Sequence, residues 1–301
     1  MLELRNDNSI ASLAPQVGQS IQSLKDEHEA EVLDFLSAHP MLTFVMMGWI
    51  NDNGLVSQLN RGNFYATRNG RGELDGVALI GHVTLLETKS DDSLSSFAKL
   101  ARNCPSSFVV MGEEERIDRF MQFYAPEAPQ SYRVGRELLF ERRSRVHCES
   151  SVPSLRRATL EELDLVVPVH AQMAFEESGV NPLEVDPLSF RDRCARRIHQ
   201  GRVWVCIENQ RLVFKADVVS DLAEVNYLEG VYVRPEDRGK GLGTACMRHV
   251  TNLLLSRTKS VCLLTREEEK AAQSCYVKAG YKLRDCYKTV FLDQNSNDSE
   301  N

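Results

Sequence analysis

The chain has 301 residues, enough for two domains of ordinary size, each with a core of its own. Its 42% hydrophobic and 26% charged residues suit a globular protein, and no apolar run approaches the roughly 18 residues of a membrane span, so a membrane partner is not expected. A net charge of -7 argues against a nucleic-acid partner, because phosphate binding is driven by clustered Lys and Arg releasing counterions.

Residues 1–24 are polar and without sustained periodicity, and a loose segment is expected there and in the tail 294–301. The opening MLELRNDNSIASLAPQ has no basic stretch followed by an apolar one, so the expected location is cytoplasmic. A helix is expected over residues 26–38, strands over 63–68 and 76–86, and a helix over 93–103. A strand over 107–111, a helix over 113–124 and a strand over 133–141 complete this half. The stretch ERRSRVHCESSVPS then breaks the pattern, placing a boundary near residue 147 between an N-terminal α/β domain (25–146) and a second domain (147–293).

The second half opens with a short strand at Leu155-Arg156-Arg157-Ala158. Thr159, three residues before Glu162, makes a capping box for a helix running towards Glu177. Another helix is expected over 187–199, then strands over 203–208, 212–219 and 223–233, the first two joined as a hairpin through Asn209-Gln210-Arg211. Leu242, Cys246, His249, Val250, Leu253 and Leu254 recur at helical spacing. A strand over 261–265, a helix over 267–279 stopped by Gly280, and a strand over 281–292 follow. The order β-α-α-β-β-β-α-β-α-β implies an α/β (α+β layered) fold with a mixed, largely antiparallel sheet. The first half echoes it less distinctly.

The eight cysteines include no C-x-x-C pair, so neither a metal site nor a redox dithiol is expected, and they read as small buried hydrophobes. The strongest local signal is a strand ended by Pro235, then Arg238-Gly239-Lys240-Gly241-Leu242-Gly243, then a helix. Glycines permit positive φ and close backbone approach, so successive N–H groups can converge on phosphate oxygens at a helix start, with Arg238 and Lys240 as countercharge at the rim. Glycines spaced by two meet neither the Rossmann nor the Walker pattern. A tight structural turn is the alternative. In the first half the corresponding place holds Glu87-Thr88-Lys89-Ser90-Asp91-Asp92, whose acids would repel a pyrophosphate, as expected of a degenerate copy that has lost the cofactor.

These residues resemble the GNAT acyltransferases. Arg238, Gly241 and Gly243 match that family's signature, preceded by Val233-Arg234-Pro235; downstream, Ala272, Tyr276 and Gly280-Tyr281 match a second motif. The resemblance runs from Leu155 to Leu292, and the whole chain looks like the two-domain GNAT proteins with an uncharacterised N-terminal domain. It implies an acyl-CoA-dependent N-acyltransferase that moves acetyl from acetyl-CoA to a primary amine by direct attack, without a metal. The implied cofactor contacts are the backbone of Arg238, Gly239, Lys240, Gly241, Leu242, Gly243 and Thr244 for the pyrophosphate, and of Val231, Tyr232 and Val233 for pantetheine.

Tyr276 stands where the family places its general acid, a role a phenol near pKa 10 can fill, and an N–H near Val231 would stabilise the oxyanion. Glu229 is the favoured base. Glu176 and Glu177, between the first two helices, would bind a cationic amine on a small molecule or peptide. Cys275 has no oriented His close in sequence to make it a nucleophile. Glu269 stands where the family often has Asn, which leaves the contacts around it open. Other readings are a non-catalytic acyl-CoA sensor and a tandem-GNAT aminoacyl or peptidyl transferase; monomer or homodimer stays open.

Overall fold

A computed structural model describes residues 20–125, 133–147, 152 and 154–292. The tail 294–301 and most of the segment expected to be loose lie outside the described residues. What is described of that segment contradicts the expectation, because Ile21–Ser23 form an edge strand, β1. Three residues are too few for periodicity to show; their place comes from pairing with the next strand, Ile21 opposite Thr67.

The first half continues with helices α1 (Glu29–Ser37) and α2 (Pro40–Asn53) and strands β2 (Gly62–Arg68), β3 (Leu74–Gly81) and β4 (Val83–Thr88). Helix α3 (Asp91–Arg102), β5 (Val109–Glu113), α4 (Glu114–Tyr124) and β6 (Arg133–Arg142) complete it. Two departures stand out. The strand expected over 76–86 is two antiparallel strands turning at His82, and α2 was not legible. PMLTFVMMGWINDN is apolar on nearly every side, so it carries no amphipathic period, as befits a helix buried all round.

The second half follows expectation: β7 (Leu155–Arg157), α5 (Leu163–Ser178), a one-turn α6 (Pro182–Val185), α7 (Pro187–His199), β8 (Val203–Glu208) and β9 (Arg211–Asp221). Then come β10 (Val225–Val233), α8 (Leu242–Leu254), β11 (Ser260–Arg266), α9 (Lys270–Lys278) and β12 (Lys282–Phe291). Thr159 and Glu162 form the capping box. The β8–β9 hairpin turns through Asn209 and Gln210 at φ 49° and 58°, the two left-handed positions of a type I′ turn. In α8 the buried face is Gly243, Cys246, Met247, Val250, Thr251 and Leu254, while Leu253 is 44% exposed, so the expected stripe is rotated by about a residue.

The strands form one twelve-stranded sheet in the order β1-β2-β3-β4-β5-β12-β6-β11-β10-β9-β8-β7. Read from either edge, each half contributes its first five strands in sequence and then receives the last strand of the other half. The sheet therefore repeats one strand topology twice, the two copies meeting between β12 and β6. Residue 147 divides the chain but not the core: β6 pairs with β11 from Arg142 opposite Val261 to Glu137 opposite Arg266, and β12 pairs with β5.

Helix α2 crosses to the second half. Phe44 packs 4.6 Å from Tyr227, the Tyr287 hydroxyl donates to the Met41 carbonyl (2.8 Å), and Arg202 holds Asp52 through both guanidinium nitrogens. Arg136 on β6 joins Glu114 (3.0 Å) to Glu267 (2.6 Å) across the halves. Among the described residues, no helix is long and apolar enough to cross a membrane.

Candidate active site

The glycine loop leaves β10 through Arg234 and Pro235 and enters α8 with Gly239 at φ 76° and Gly241 at φ 85°. L side chains avoid that region, and a Cβ on either residue would meet nothing within 4 Å, so backbone conformation rather than crowding demands glycine. Gly241 is the N-cap of α8 and has no side chain to offer, and the first helical bond runs from Ala245 N to Gly241 O. The amides of Leu242, Gly243 and Thr244 thus lie ahead of any intrahelical acceptor, and no capping side chain takes them. Arg238 folds back onto the Val233 carbonyl (3.0 Å) and Lys240 reaches Asp237 (3.3 Å), leaving both on the rim. Gly243 sits where a Cβ would come within 3.0 Å of Val233 and 3.4 Å of Cys275, which draws α8 tight against β10 and α9.

Strands β10 and β11 pair in parallel only from Val225 opposite Ser260 to Leu228 opposite Leu263. Beyond that β10 runs on to Val233, while β11 stays with β6 out to Arg266, so the two strands part. At the parting β10 carries a bulge: Glu229 faces Asp217 and Tyr232 faces Lys215, leaving one extra residue, with Gly230 at φ 61°. Val231 and Val233 line this stretch and pack on the core that also holds Tyr276.

Three carboxylates gather at the mouth. Glu229 is exposed on β10, Glu177 ends α5, and Glu137 comes from β6 of the first half. Glu177 keeps an exposed flank, yet its carboxyl is raised to about 7 by desolvation, then by the charges of Glu229 and Glu137, against Arg266 and Arg133. Glu137 is likewise raised, by burial first and then by Glu229, although Thr289 donates to it at 2.8 Å. Sequence reasoning named Glu229 as a base and Glu177 as an acceptor contact separately; the structure brings their charges together, with Glu137 and Arg266, which sequence reasoning missed and only strand exchange delivers. Glu176 does not join them: it accepts from Gln172 (2.9 Å) on the exposed side of α5.

Tyr276 is 6% exposed, between the rings of Phe140 and Tyr281 at 6.2 Å each. Burial pushes its phenol above the ordinary value, so it keeps its proton at neutral pH. Burial also raises the Cys275 thiol, which receives a hydrogen bond from Thr244 (3.5 Å), an environment that disfavours the thiolate. Glu269 pairs with Arg266 rather than with the loop.

The first half has the matching splay without the cradle. Strands β4 and β5 pair only at Val83–Val109 and Thr84–Val110, but α2 covers the gap with Leu42, Phe44, Val45 and Met46. A cavity of ≈ 20 Å³ remains, room for one water. At the start of α3 the Ser90 hydroxyl takes the Ser93 amide (3.2 Å) and also bonds Asp75. Side chains occupy the place an anion would need.

Residues 199–283 match the family model described as an acetyltransferase (GNAT) domain. The fold is that of a GNAT-family acetyltransferase from Colwellia psychrerythraea (TM-score 0.60, 11% identity, 91% of this chain and 100% of that one). It is equally that of a tandem GNAT protein from the clavulanic acid biosynthesis pathway (TM-score 0.58, 13% identity, 93% and 99% covered) and of a GCN5-related N-acetyltransferase from Sphaerobacter thermophilus (0.57, 13%, 91% and 95%). No curated protein matches the sequence. The glycine loop, the splayed strands and the matched GNAT segment coincide in the second half, and the chain as a whole has the fold of two-domain GNAT proteins.

Proposed function

We propose that the second half transfers an acetyl group from acetyl-CoA to a cationic primary amine on a small molecule or peptide, by direct attack in the splay between β10 and β11. The observation that carries this reading is the uncapped start of α8, where nothing lies within 4 Å of the Gly239 and Gly241 Cβ positions, at the end of a bulged strand that has left its neighbour. Acetyl-CoA supplies an acyl carbon activated as a thioester. Amides from Arg238 through Thr244 hold the diphosphate, and the backbone of Val231, Tyr232 and Val233 holds the pantetheine arm. The Val231 N–H is the donor for the thioester carbonyl oxygen.

An amine enters as its ammonium, the ligand that best relieves three crowded carboxylates, and must lose a proton before it can attack. Glu229 takes that proton, and its charge helps hold the neighbouring Glu177 carboxyl above the ordinary range. Tyr276 gives its proton to the departing sulfur. Because burial makes that phenol a weaker acid, its share of the rate lies near the low end for general acids. Tyr276→Phe is expected to slow transfer about 10²-fold while leaving CoA affinity within about twofold. Calorimetry and turnover measured together check this; undiminished turnover removes Tyr276 from the mechanism.

The titration of Glu177 supplies a second check. Glu229→Gln removes the largest charge acting on Glu177, so the Glu177 carboxyl, followed by NMR rather than by rate, should titrate at lower pH, and a carboxyl whose titration stays in place denies the coupling. Stability carries the same sign. The folded protein holds the Glu177 proton more tightly than the unfolded chain between 4.5 and about 7, so the fold weakens as pH rises through that window, by an amount solvent screening keeps small. The deciding experiment is release of CoA thiol from acetyl-CoA across a panel of amines. Release with cationic primary amines is the expected result; tight binding without release on any amine means a sensor instead.

A further inference from the structure

Beneath the β10 bulge lies a cluster of charge that the transfer reaction does not use. Lys215 is fully buried (0% exposed) and Asp217 nearly so (1%), neighbours on one face of β9. Lys215 Nζ donates to Asp217 Oδ2 (2.8 Å) and to the Gly230 carbonyl (3.2 Å). The same carboxylate oxygen takes Arg197 Nη1 of α7 at 3.1 Å and lies 3.3 Å from His170 Nδ1 of α5, while Oδ1 has no hydrogen-bond partner. Burial alone would raise the Asp217 carboxyl, but Lys215, His170 and Arg197 together hold it well below the usual carboxylate range. Burying such a group gains little stability over an apolar pair of the same volume, so its retention calls for another reason.

That reason is on β10. Gly230 is the bulged residue, and a Cβ there would lie 2.8 Å from Lys215 Nζ, so the ammonium sits directly against this peptide. All described peptide bonds are trans, and in a trans peptide the carbonyl and the next N–H point opposite ways. Neither Gly230 nor Val231 has a partner of its own in the register with β9, where two residues of β10 stand opposite one. We infer that Lys215 is a positioning residue: by holding the Gly230 carbonyl it turns the Val231 N–H away from the buried charge and aims it at the acyl group. Asp217, itself held by Arg197 and His170, keeps the ammonium in place. This rests on the reading of Val231 as the carbonyl donor.

The test is the carbonyl stretch of [1-13C]acetyl-CoA bound to the full chain, read by isotope-edited infrared difference spectroscopy, alongside calorimetric affinity. Binding to the unaltered protein should lower the frequency relative to free acetyl-CoA. In Lys215→Met, and in the double variant Lys215→Met/Asp217→Leu that replaces the whole pair by apolar side chains, the frequency should return towards the free value. The acetyl-CoA affinity should change by less than about threefold, and kcat with an active amine should fall about tenfold or more, since one misaimed donor costs less than one removed. The double variant leaves no carboxylate without its ammonium, so it keeps a folded protein available. A folded variant with the frequency unchanged overturns the role of Lys215 and leaves the transferase reading standing. An unaltered protein that binds acetyl-CoA with no shift, or does not bind it, overturns both.

Discussion

Residues 147–293 produced without the preceding half are expected to fail as a soluble domain, although they contain the whole glycine loop and every residue of the GNAT match. The excised piece lacks β6, which pairs with β11 at six residues and with β12 at nine. At about 1 kcal/mol of net stabilisation per hydrogen bond, losing that central strand removes as much as a typical domain has, roughly 5–15 kcal/mol. It also bares the β11 edge that faced β6 and both edges of β12, whose two neighbours β5 and β6 lie in the removed half, which favours aggregation. Size-exclusion chromatography and thermal unfolding followed by circular dichroism check this. Co-production with residues 1–146 should restore a soluble pair. A monomeric piece with a cooperative transition of its own would show that the exchanged strand is dispensable. The same excision takes Glu137 from the acceptor mouth, so the first half is part of the proposed site as well as of the fold.

The second large effect is expected from Gly241→Glu. Gly241 stands at φ 85° with open space where a Cβ would go, so a side chain fits but the backbone resists. Strain of roughly 1–2 kcal/mol and a carboxylate in the anion's place add, and the affinity for acetyl-CoA should fall more than about 100-fold, or about 2.7 kcal/mol. Gly241→Gln separates the two causes: it retains the strain without the charge and should bind better than Gly241→Glu. Replacing Tyr232, for which only a main-chain role is proposed, should cost less than either. Calorimetry with an affinity unchanged in Gly241→Glu would mean the diphosphate lies elsewhere.

The second half was legible because its signals are local. A capping box at Thr159 and Glu162, a hairpin expected through Asn209-Gln210-Arg211 and a glycine turn leading into a helix each depend on residues a few positions apart; each forms, with Arg211 in the strand rather than the turn. The first half was less so for definite reasons. Helix α2 has no polar face, β1 is three residues long, and β3 and β4 form one apolar run broken only at His82. None of these has a period to find.

By itself the sequence determined the order of elements in the second half, the place of the glycine loop at a helix start and the resemblance of that half to GNAT domains, because backbone freedom at glycines and hydrophobic spacing are properties of neighbouring residues. Tertiary structure alone decided that the halves exchange their last strands, that α2 closes the first splay, and that Glu137 and Arg266 meet Glu177 and Glu229. It likewise decided that Lys215 lies under the Gly230 carbonyl. These contacts join positions far apart in the chain, and strand partners are chosen by which edges remain free after the rest of the sheet has formed, information no short window contains.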